Sequence, residues 1–219
     1  MRLSTATVNV YIVIDMKASA PTPVRKIGRP LSFDRDAALA QAMLLFWKHG
    51  YEATSLSDLT SAMGVNAPSI YAAFGDKKRL FLEAVRLYIS GPVNADTIID
   101  DAPTAQQAAA GLLDASVAGF TGRDTPKGCL LASSAISCSA AAADVQAELG
   151  SIRRKIEARL KDKILRDIKI GAMASDANAG ALAGHVMAVI QGMSTLARDG
   201  ASREKLRQIA ATAMLAWAR

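Results

Sequence analysis

The chain has 219 residues, enough for one large domain or two small ones, and 51% of them are hydrophobic while only 5% are aromatic. The apolar residues are mainly the helix formers Ala, Leu and Met with Ile and Val, and only seven prolines interrupt them, so the composition predicts an all-α fold. A net charge of +6, of which +4 lies in residues 1–90, permits nucleic-acid binding. Two cysteines exclude a disulfide framework and two histidines leave no zinc-ligand spacing, so we expect no metal site and no cofactor.

Residues 1–27 differ from the rest of the chain and are predicted to form a disordered or poorly packed tail. A β-branched, apolar run occupies residues 8–14. The sequence Ala18-Ser19-Ala20 resembles a signal-peptide cleavage site, but Asp15 and Lys17 separate it from the apolar run. We therefore treat the segment as a tail rather than as a leader.

Three basic residues stand together just before the first predicted helix: Arg25, Lys26 and Arg29. One interpretation is a solvated basic tail. The other is an arm that contacts DNA phosphates or enters the minor groove. The spacing alone leaves both interpretations open.

Residues 28–90 are predicted to contain four short amphipathic helices, of which the first three form one compact unit. Helix 1 begins after Asp34, whose carboxylate is a good N-cap, and ends before Gly50. Its apolar residues recur every three or four positions, as expected for one buried face. Helix 4 is predicted to run from about Lys77 to Ser90.

Helices 2 and 3 are joined by a very short connection. The hydroxyl of Ser55 is predicted to cap helix 2, which ends at Gly64, and Asn66 is predicted to cap helix 3. A connection of two residues forces the helices to cross steeply, as they do in a helix-turn-helix unit. We therefore place a helix-turn-helix motif at residues 55–74.

Helix 3 is predicted to enter the major groove of DNA. Ile70 and Phe74 lie four residues apart and should be buried together. The residues between and beside them should face solvent or a ligand: Ser69, Tyr71, Ala72 and Ala73. An exposed tyrosine beside a serine, followed closely by Lys77, suits a groove lined by phosphates.

Residues 91–219 are predicted to form a second, helical domain. After a loop at 93–103, the expected helices are helix 5 (104–120), helix 6 (128–140), helix 7 (144–170), helix 8 (176–198) and helix 9 (202–218). Helix 8 is apolar or small around most of its circumference, which indicates burial against a partner subunit. Residues 177–197 lack formal charges and are long enough to span a bilayer, but their modest hydrophobicity favours a buried helix of a soluble, cytoplasmic protein without a membrane partner.

Residues 28–90 resemble the tetracycline-repressor (TetR) family. The features that carry the resemblance are Gly50-Tyr51, Thr54-Ser55, the Gly64-Val65 turn, Ile70-Tyr71, Phe74, Lys77 and Leu80-Phe81. The resemblance implies a nine-helix fold with a three-helix DNA-binding domain and a C-terminal domain for ligand binding and dimerisation. One departure is Ala72-Ala73, where many relatives carry a histidine or aromatic residue before the phenylalanine; the alanine methyl groups can still contact a thymine methyl.

The same resemblance implies a homodimer that binds a partly palindromic double-stranded DNA operator, as a repressor released by an unknown small molecule. The implied DNA contacts are Ser55, Asn66, Ser69, Tyr71 and Lys77, together with the basic arm of Arg25, Lys26 and Arg29. Tyr71 and Lys77 would anchor phosphates, and Ser69 would contact a base edge.

The C-terminal domain has two expected sites. An apolar effector pocket would be lined by Phe81, Leu112, Phe120, Leu131, Ile152 and Met187. A dimer interface built from helices 8 and 9 would include His185, Val189, Met193, Leu206, Ala213 and Trp217.

Three alternatives to an effector-controlled repressor arise from the sequence. Cys129 opens helix 6, and a helix N-terminus can lower a thiol pKa, so the protein could instead sense oxidants or electrophiles; otherwise Cys129 is a small buried apolar residue. A dimer of this fold could also serve as an interaction module that has lost effector control. An enzyme is not expected, because the sequence offers no nucleophile–base pair, phosphate-binding glycine loop or metal set.

Overall fold

The computed structural model describes residues 33–91, 93–136 and 138–217, and this part of the chain is all-α. Its ten α-helices are α1 (Arg35–His49), α2 (Leu56–Met63), α3 (Ala67–Phe74), α4 (Lys77–Ile89), α5 (Ala95–Asp101), α6 (Ala105–Phe120), α7 (Leu130–Ser133), α8 (Ala143–Lys169), α9 (Ala179–Arg198) and α10 (Arg203–Met214). Two short 3₁₀ helices occupy Ala140–Ala142 and Leu215–Trp217. The predicted tail and basic arm lie outside the described residues.

The all-α prediction is confirmed, but the number of helices differs from nine because the predicted loop at 93–103 contains α5. Asn94 starts this helix, since its side chain accepts a hydrogen bond from the backbone N–H of Thr97 at 3.0 Å. The acidic residues Asp96 and Asp100 are typical of an exposed polar loop, as predicted for this segment. Both carboxylates instead pair with Arg159 of α8, at 3.1 and 2.7 Å. These contacts span about sixty residues, so no local pattern signals them.

The predicted helix 6 is also wrong in length, because only Leu130–Ser133 form an α-helix. The helix cannot extend regularly because the carbonyl of Ser134 accepts a hydrogen bond from the backbone N–H of Tyr51 at 2.8 Å. In a continuing helix that carbonyl would bond four residues along the chain. The N-terminal domain therefore ends α7 early.

The N-terminal domain packs α1 against α2 and α4, with α3 lying against α2 and α4. The buried faces of these helices meet in one core, whose largest fully buried members are Phe46, Trp47, Leu59, Ile70, Leu80 and Phe81. Asp34 caps α1 by accepting hydrogen bonds from the N–H groups of Asp36 and Ala37, both at 3.0 Å. The predicted N-cap of helix 1 is thus confirmed.

In the C-terminal domain α6 is central, and it packs against α5, α8, α9 and α10. The buried carboxylate of Asp167, near the end of α8, accepts a hydrogen bond from the N–H of Ala105 at 2.6 Å. This bond satisfies one of the unpaired donors at the start of α6. A negative charge is also favourable at that helix end. The longest helix is therefore tied to the central one.

The segment that contains α7 joins the two domains. The indole Nε1–H of Trp47 donates to the carbonyl of Gly128 at 3.0 Å. The guanidinium of Arg198, at the end of α9, donates to the carbonyl of Trp47 at 3.2 Å. A second contact is made by Glu52, just after α1. Its carboxylate accepts hydrogen bonds from the backbone N–H and the hydroxyl of Ser139, at 2.9 and 2.7 Å. The end of α1 is thus fixed to the body at several points.

We expect Gly128→Ala to destabilise the protein more than Gly64→Ala. Both glycines have left-handed backbones, with φ of 79° and 66°, which costs another residue about 1–2 kcal/mol. At Gly128 an added Cβ would also lie 2.8 Å from the carbonyl oxygen of Ser194, whereas at Gly64 it would meet open space. Overpacking adds about 1–3 kcal/mol. Urea unfolding at one fixed protein concentration measures the difference, and equal losses in the two variants would contradict the packing at Gly128.

Candidate DNA-binding site

The α2–turn–α3 unit is built by three local signals. Ser55 and Asp58 form a capping box at the start of α2, with hydrogen bonds of 3.1 and 2.9 Å. Gly64 ends α2 in the left-handed conformation, with φ 66° and ψ 28°. The side chain of Asn66 then accepts a hydrogen bond from the N–H of Ser69 at 2.9 Å and starts α3. The expected caps and turn of a helix-turn-helix are confirmed.

The capping role determines what Ser55 and Asn66 can offer to a ligand. The Ser55 hydroxyl also donates to the carboxylate of Asp58 at 2.6 Å. These bonds lower the pKa of Asp58 below its usual value. Each of the two side chains is therefore occupied within its own helix start. The backbone N–H groups at these helix N-termini that the caps leave open form a positive end suited to anions.

One face of α3 is buried and the other is open. Ile70 is completely buried and Phe74 almost so, whereas Tyr71 is 53% exposed. Pro68 and Ala72 are exposed beside Tyr71, and Ser69 is half-buried. The open face thus combines one phenol with small apolar groups, as the 3.6-residue periodicity predicts.

Lys77 is held over the ring of Tyr51 rather than extended into solvent. Its ammonium lies 4.6 Å from the ring centroid and donates to the carbonyl of Glu52 at 3.4 Å. Burial lowers the pKa of Lys77, while the charges of Glu52 and Asp58 act in the opposite direction. The neighbouring Lys78 instead forms an ion pair with Asp144 of the body. The two adjacent lysines therefore have different partners: Lys77 packs within the N-terminal domain, and Lys78 pairs with the C-terminal domain.

We expect Lys77→Met to reduce the salt dependence of DNA binding, because each lysine that neutralises a phosphate contributes about 0.9 to the slope of log affinity against log salt. The slope should therefore fall by about one unit for each protomer bound, while methionine preserves the packing on Tyr51. Lys78→Met removes the same charge one residue along and serves as the control. Fluorescence anisotropy titrations over a salt series measure both slopes, and equal slopes in the two variants would refute the phosphate role of Lys77.

Sequence reasoning missed two residues around α3. Tyr51 belongs to the family pattern, which does not indicate that its ring lies under the Lys77 ammonium. Arg35 of α1 donates to the carbonyl of Ala73 in α3, at 3.3 Å. These partners are 26 and 38 residues apart in the chain, so helical spacing cannot indicate them. Arg25, Lys26 and Arg29 of the expected arm lie outside the described residues.

The residues expected to line an effector pocket are dispersed over the helices. Phe81 packs in an aromatic cluster of the N-terminal domain, with ring centroids 5.0 Å from those of Phe46 and Tyr51. It therefore belongs to the core of that domain. The other five lie in the C-terminal domain, buried or half-buried: Leu112, Phe120, Leu131, Ile152 and Met187.

The residues expected at a dimer interface divide into two groups. Met193 and Leu206 are fully buried within the protomer, and Ala213 and Trp217 are nearly so; they pack the protomer's own core. His185 is exposed and Val189 is half-buried. These two line an open groove between α9 and α10 with Lys205, Gln208, Ile209, Thr212 and Ala213.

Helix α9 is long and apolar enough, by length and composition alone, to cross a membrane. About a third of its 18-residue apolar window is buried in the protomer, where it packs against α6, α8 and α10. The rest of the window is open in the single chain, so the expected burial against a partner subunit stays a prediction. Its open side includes the groove at His185.

Cys129 does not have the surroundings of a reactive thiol. It is buried, and its sulfur accepts a hydrogen bond from the Tyr88 hydroxyl at 3.4 Å. Burial raises the pKa of Cys129, against the smaller effects of that bond, neighbouring N–H groups and Arg153. The N–H groups at the start of α7 thus do not outweigh the effect of burial on the pKa, and the thiolate needed for oxidant sensing is disfavoured.

The geometry defines a helix-turn-helix head with an exposed recognition face, fixed to an all-helical body. Residues 38–84 match the family model described as bacterial regulatory proteins, tetR family. The HTH-type transcriptional repressor ComR of Escherichia coli K12 is 38% identical over 192 residues, covering 87% of this chain and 91% of ComR. The chain belongs to the TetR family.

Two further comparisons cover a part of the chain and the whole fold. The HTH-type transcriptional repressor BdcR of Escherichia coli K12 is 37% identical over 81 residues, which is 36% of this chain and 41% of BdcR. A cysteine-substituted form of the TetR family transcriptional regulator CifR, solved with 26-bp double-strand operator DNA, superposes with a TM-score of 0.82 at 37% identity. That match covers 87% of this chain and all of the CifR chain. These relatives are transcriptional regulators rather than enzymes.

Proposed function

We propose that this protein is a sequence-specific transcriptional repressor that binds operator DNA as a homodimer and is released by a small molecule. The observation that carries the proposal is the exposed face of α3 around Tyr71. The opposite face of this capped helix is buried in the N-terminal domain through Ile70 and Phe74. The relatives ComR and BdcR are named as transcriptional repressors, and the TetR family regulator CifR is solved on operator DNA. Because DNA is its ligand, we place the protein in the cytoplasm, where free Cys129 and Cys138 remain reduced.

In this proposal α3 lies in the major groove with its open face toward the bases. Ser69 contacts a base edge, while Ala72 and Pro68 contact thymine methyl groups, which are the apolar feature of that groove. The Tyr71 hydroxyl and the Lys77 ammonium bind phosphates on the groove walls. Backbone N–H groups at the starts of α2 and α3 add phosphate contacts without side-chain charge.

The homodimer would form through the open side of α9 and α10. Leu215, in the 3₁₀ helix that follows α10, is 69% exposed, and the groove lined by Val189 and Thr212 would accept side chains from a second copy. A two-fold interface uses the same patch on both protomers, so one apolar groove can receive its own counterpart. We assign this face to the partner subunit rather than to a membrane.

The effector would bind in the C-terminal domain among Leu112, Phe120, Leu131, Ile152 and Met187. These side chains are apolar, as most lining residues of small-molecule pockets are. Leu131 belongs to α7, whose segment holds the end of α1 through Trp47. A ligand that prefers another arrangement of this segment would change the position of the head and so the affinity for DNA.

The proposal is tested with a fluorescent duplex taken from upstream of the gene and a scrambled duplex of the same length. Specific complexes are typically about 10³–10⁷ times tighter than non-specific ones at physiological salt. We expect two protomers per duplex and a specific affinity in that range. Equal affinity for both duplexes, by a folded dimer, would contradict the function on this promoter.

A further inference from the structure

The C-terminal end of α3 is held by one residue of α1. A guanidinium Nη2 of Arg35 donates to the carbonyl of Ala73 at 3.3 Å and to the carboxylate of Glu83, on α4, at 2.6 Å. Its Cζ lies 4.4 Å from the centroid of the Phe74 ring. Arg35 therefore touches α3 and α4 at once from a third helix.

Helix α3 needs such an attachment. It is only eight residues long, and helices of two turns are unstable without tertiary contacts. Its buried side chains are Ile70 and Phe74. The last carbonyls of a helix lack internal partners, and a cation is favourable at that end. Arg35 supplies a donor, a positive charge and a stacking surface at the one end that has no cap side chain.

We propose that Arg35, oriented by Glu83, is a positioning residue that sets the angle of α3 in the major groove and thereby determines sequence specificity. The planar guanidinium can meet a carbonyl, a carboxylate and a ring together, which the point charge of lysine cannot. Glu83 keeps the guanidinium on α3, since their side chains are only 35% and 29% exposed. The proposal rests on the proposed DNA-binding function. It adds Arg35, which lies outside the helix-turn-helix, as a residue that determines sequence specificity.

This role makes a prediction with an unusual sign. Glu83 carries a negative charge in a DNA-binding head, so long-range electrostatics predicts that Glu83→Gln strengthens binding to every DNA. If Glu83 instead orients Arg35, the same change must weaken operator binding, because α3 loses its fixed angle. The two accounts therefore differ in direction and not only in size.

The test compares two duplexes in anisotropy titrations: the best-bound member of a random-sequence pool, and a scrambled duplex. We expect Glu83→Gln to weaken the first about five- to tenfold, which lies within the span of couplings measured in one contact network. Binding to the scrambled duplex should stay the same or become slightly tighter. Asp36→Asn removes an equal charge from an exposed position on α1 and should not weaken either complex.

Two further variants separate positioning from direct contact and from simple stability. Arg35→Lys keeps the charge, so it should retain affinity for the scrambled duplex and lose it for the selected one. The double variant Arg35→Gln/Glu83→Gln should be no weaker than Arg35→Gln alone, since one network is broken once. Circular dichroism at the titration temperature verifies that each variant is folded.

Tighter or unchanged binding of the selected duplex by folded Glu83→Gln would overturn the inference. An equal loss on both duplexes would overturn it as well, because a phosphate contact or partial unfolding acts on all DNA alike. If the wild-type protein itself does not distinguish the two duplexes, the proposed function fails instead. The two failures are therefore distinguishable in the same experiment.

Discussion

Thr212→Arg should convert the protein to a monomer and weaken operator binding by about a hundredfold or more, the gain that linked binding sites give. Thr212 is exposed on α10 and lines the groove beside Val189. An arginine there can extend into solvent in the isolated protomer, so the fold is kept. In a two-fold interface it would place two added positive charges in a contact that Lys205 already lines. Analytical ultracentrifugation and anisotropy titration measure the two effects.

The control is Ala147→Arg, an exposed position of α8. Both variants add one positive charge, which by itself favours DNA binding. The control should therefore remain a dimer with wild-type or slightly higher affinity. A Thr212→Arg protein that stays dimeric and binds the operator normally would exclude the α9–α10 groove as the interface.

Ala72→Glu should abolish binding to all DNA, with a loss of about a hundredfold or more, because like charges in an interface cost several kcal/mol and each dimer carries two copies. Ala72 is exposed on the open face of α3, and glutamate is a good helix former. The folded structure should therefore be unchanged. The measurement is affinity for specific and scrambled duplexes at one salt concentration.

Ala72→Gln has nearly the same shape without the charge and is the matched control. Glutamine can contact adenine, so this variant should change which sequence is preferred while keeping non-specific affinity. Wild-type affinity in Ala72→Glu would mean that this face of α3 does not meet DNA.

The parts of the structure that sequence reasoning predicted are those with local causes. The caps at Ser55 and Asn66 and the left-handed turn at Gly64 each act within four residues, and all three are present. The exposure of Tyr71 follows in the same way from the helical period. Such features can be predicted from sequence because the residues that cause them are neighbours in the chain.

The parts that were missed depend on contacts between distant residues. The paired acids of α5 require Arg159, and the early end of α7 requires the N–H of Tyr51. An apolar stripe on a helix predicts that this face is buried. It does not indicate whether the face packs within the protomer or against a partner subunit. Met193 and Leu206 consequently looked like interface residues and are instead core residues of the protomer.

The arrangement around Lys77 has the same origin. The family resemblance implied a phosphate anchor, and in the structure the side chain packs on Tyr51 and donates to the Glu52 carbonyl. Glu52 in turn is bound to Ser139 of the body. An expected DNA-binding residue therefore lies beside the contact between the two domains, where a structural change in the C-terminal domain can reach it.

The most direct measurement of the central claim is sequencing of duplexes that the wild-type protein selects from a random pool. Two copies of α3 held by one dimer should recover an inverted repeat, with half-sites about 34–36 Å apart or at a multiple of that spacing. The same pool bound by Ala72→Glu should show no enrichment. Recovery of an asymmetric single site, or of no motif by the wild-type protein, would contradict the account of a dimer that reads DNA through α3.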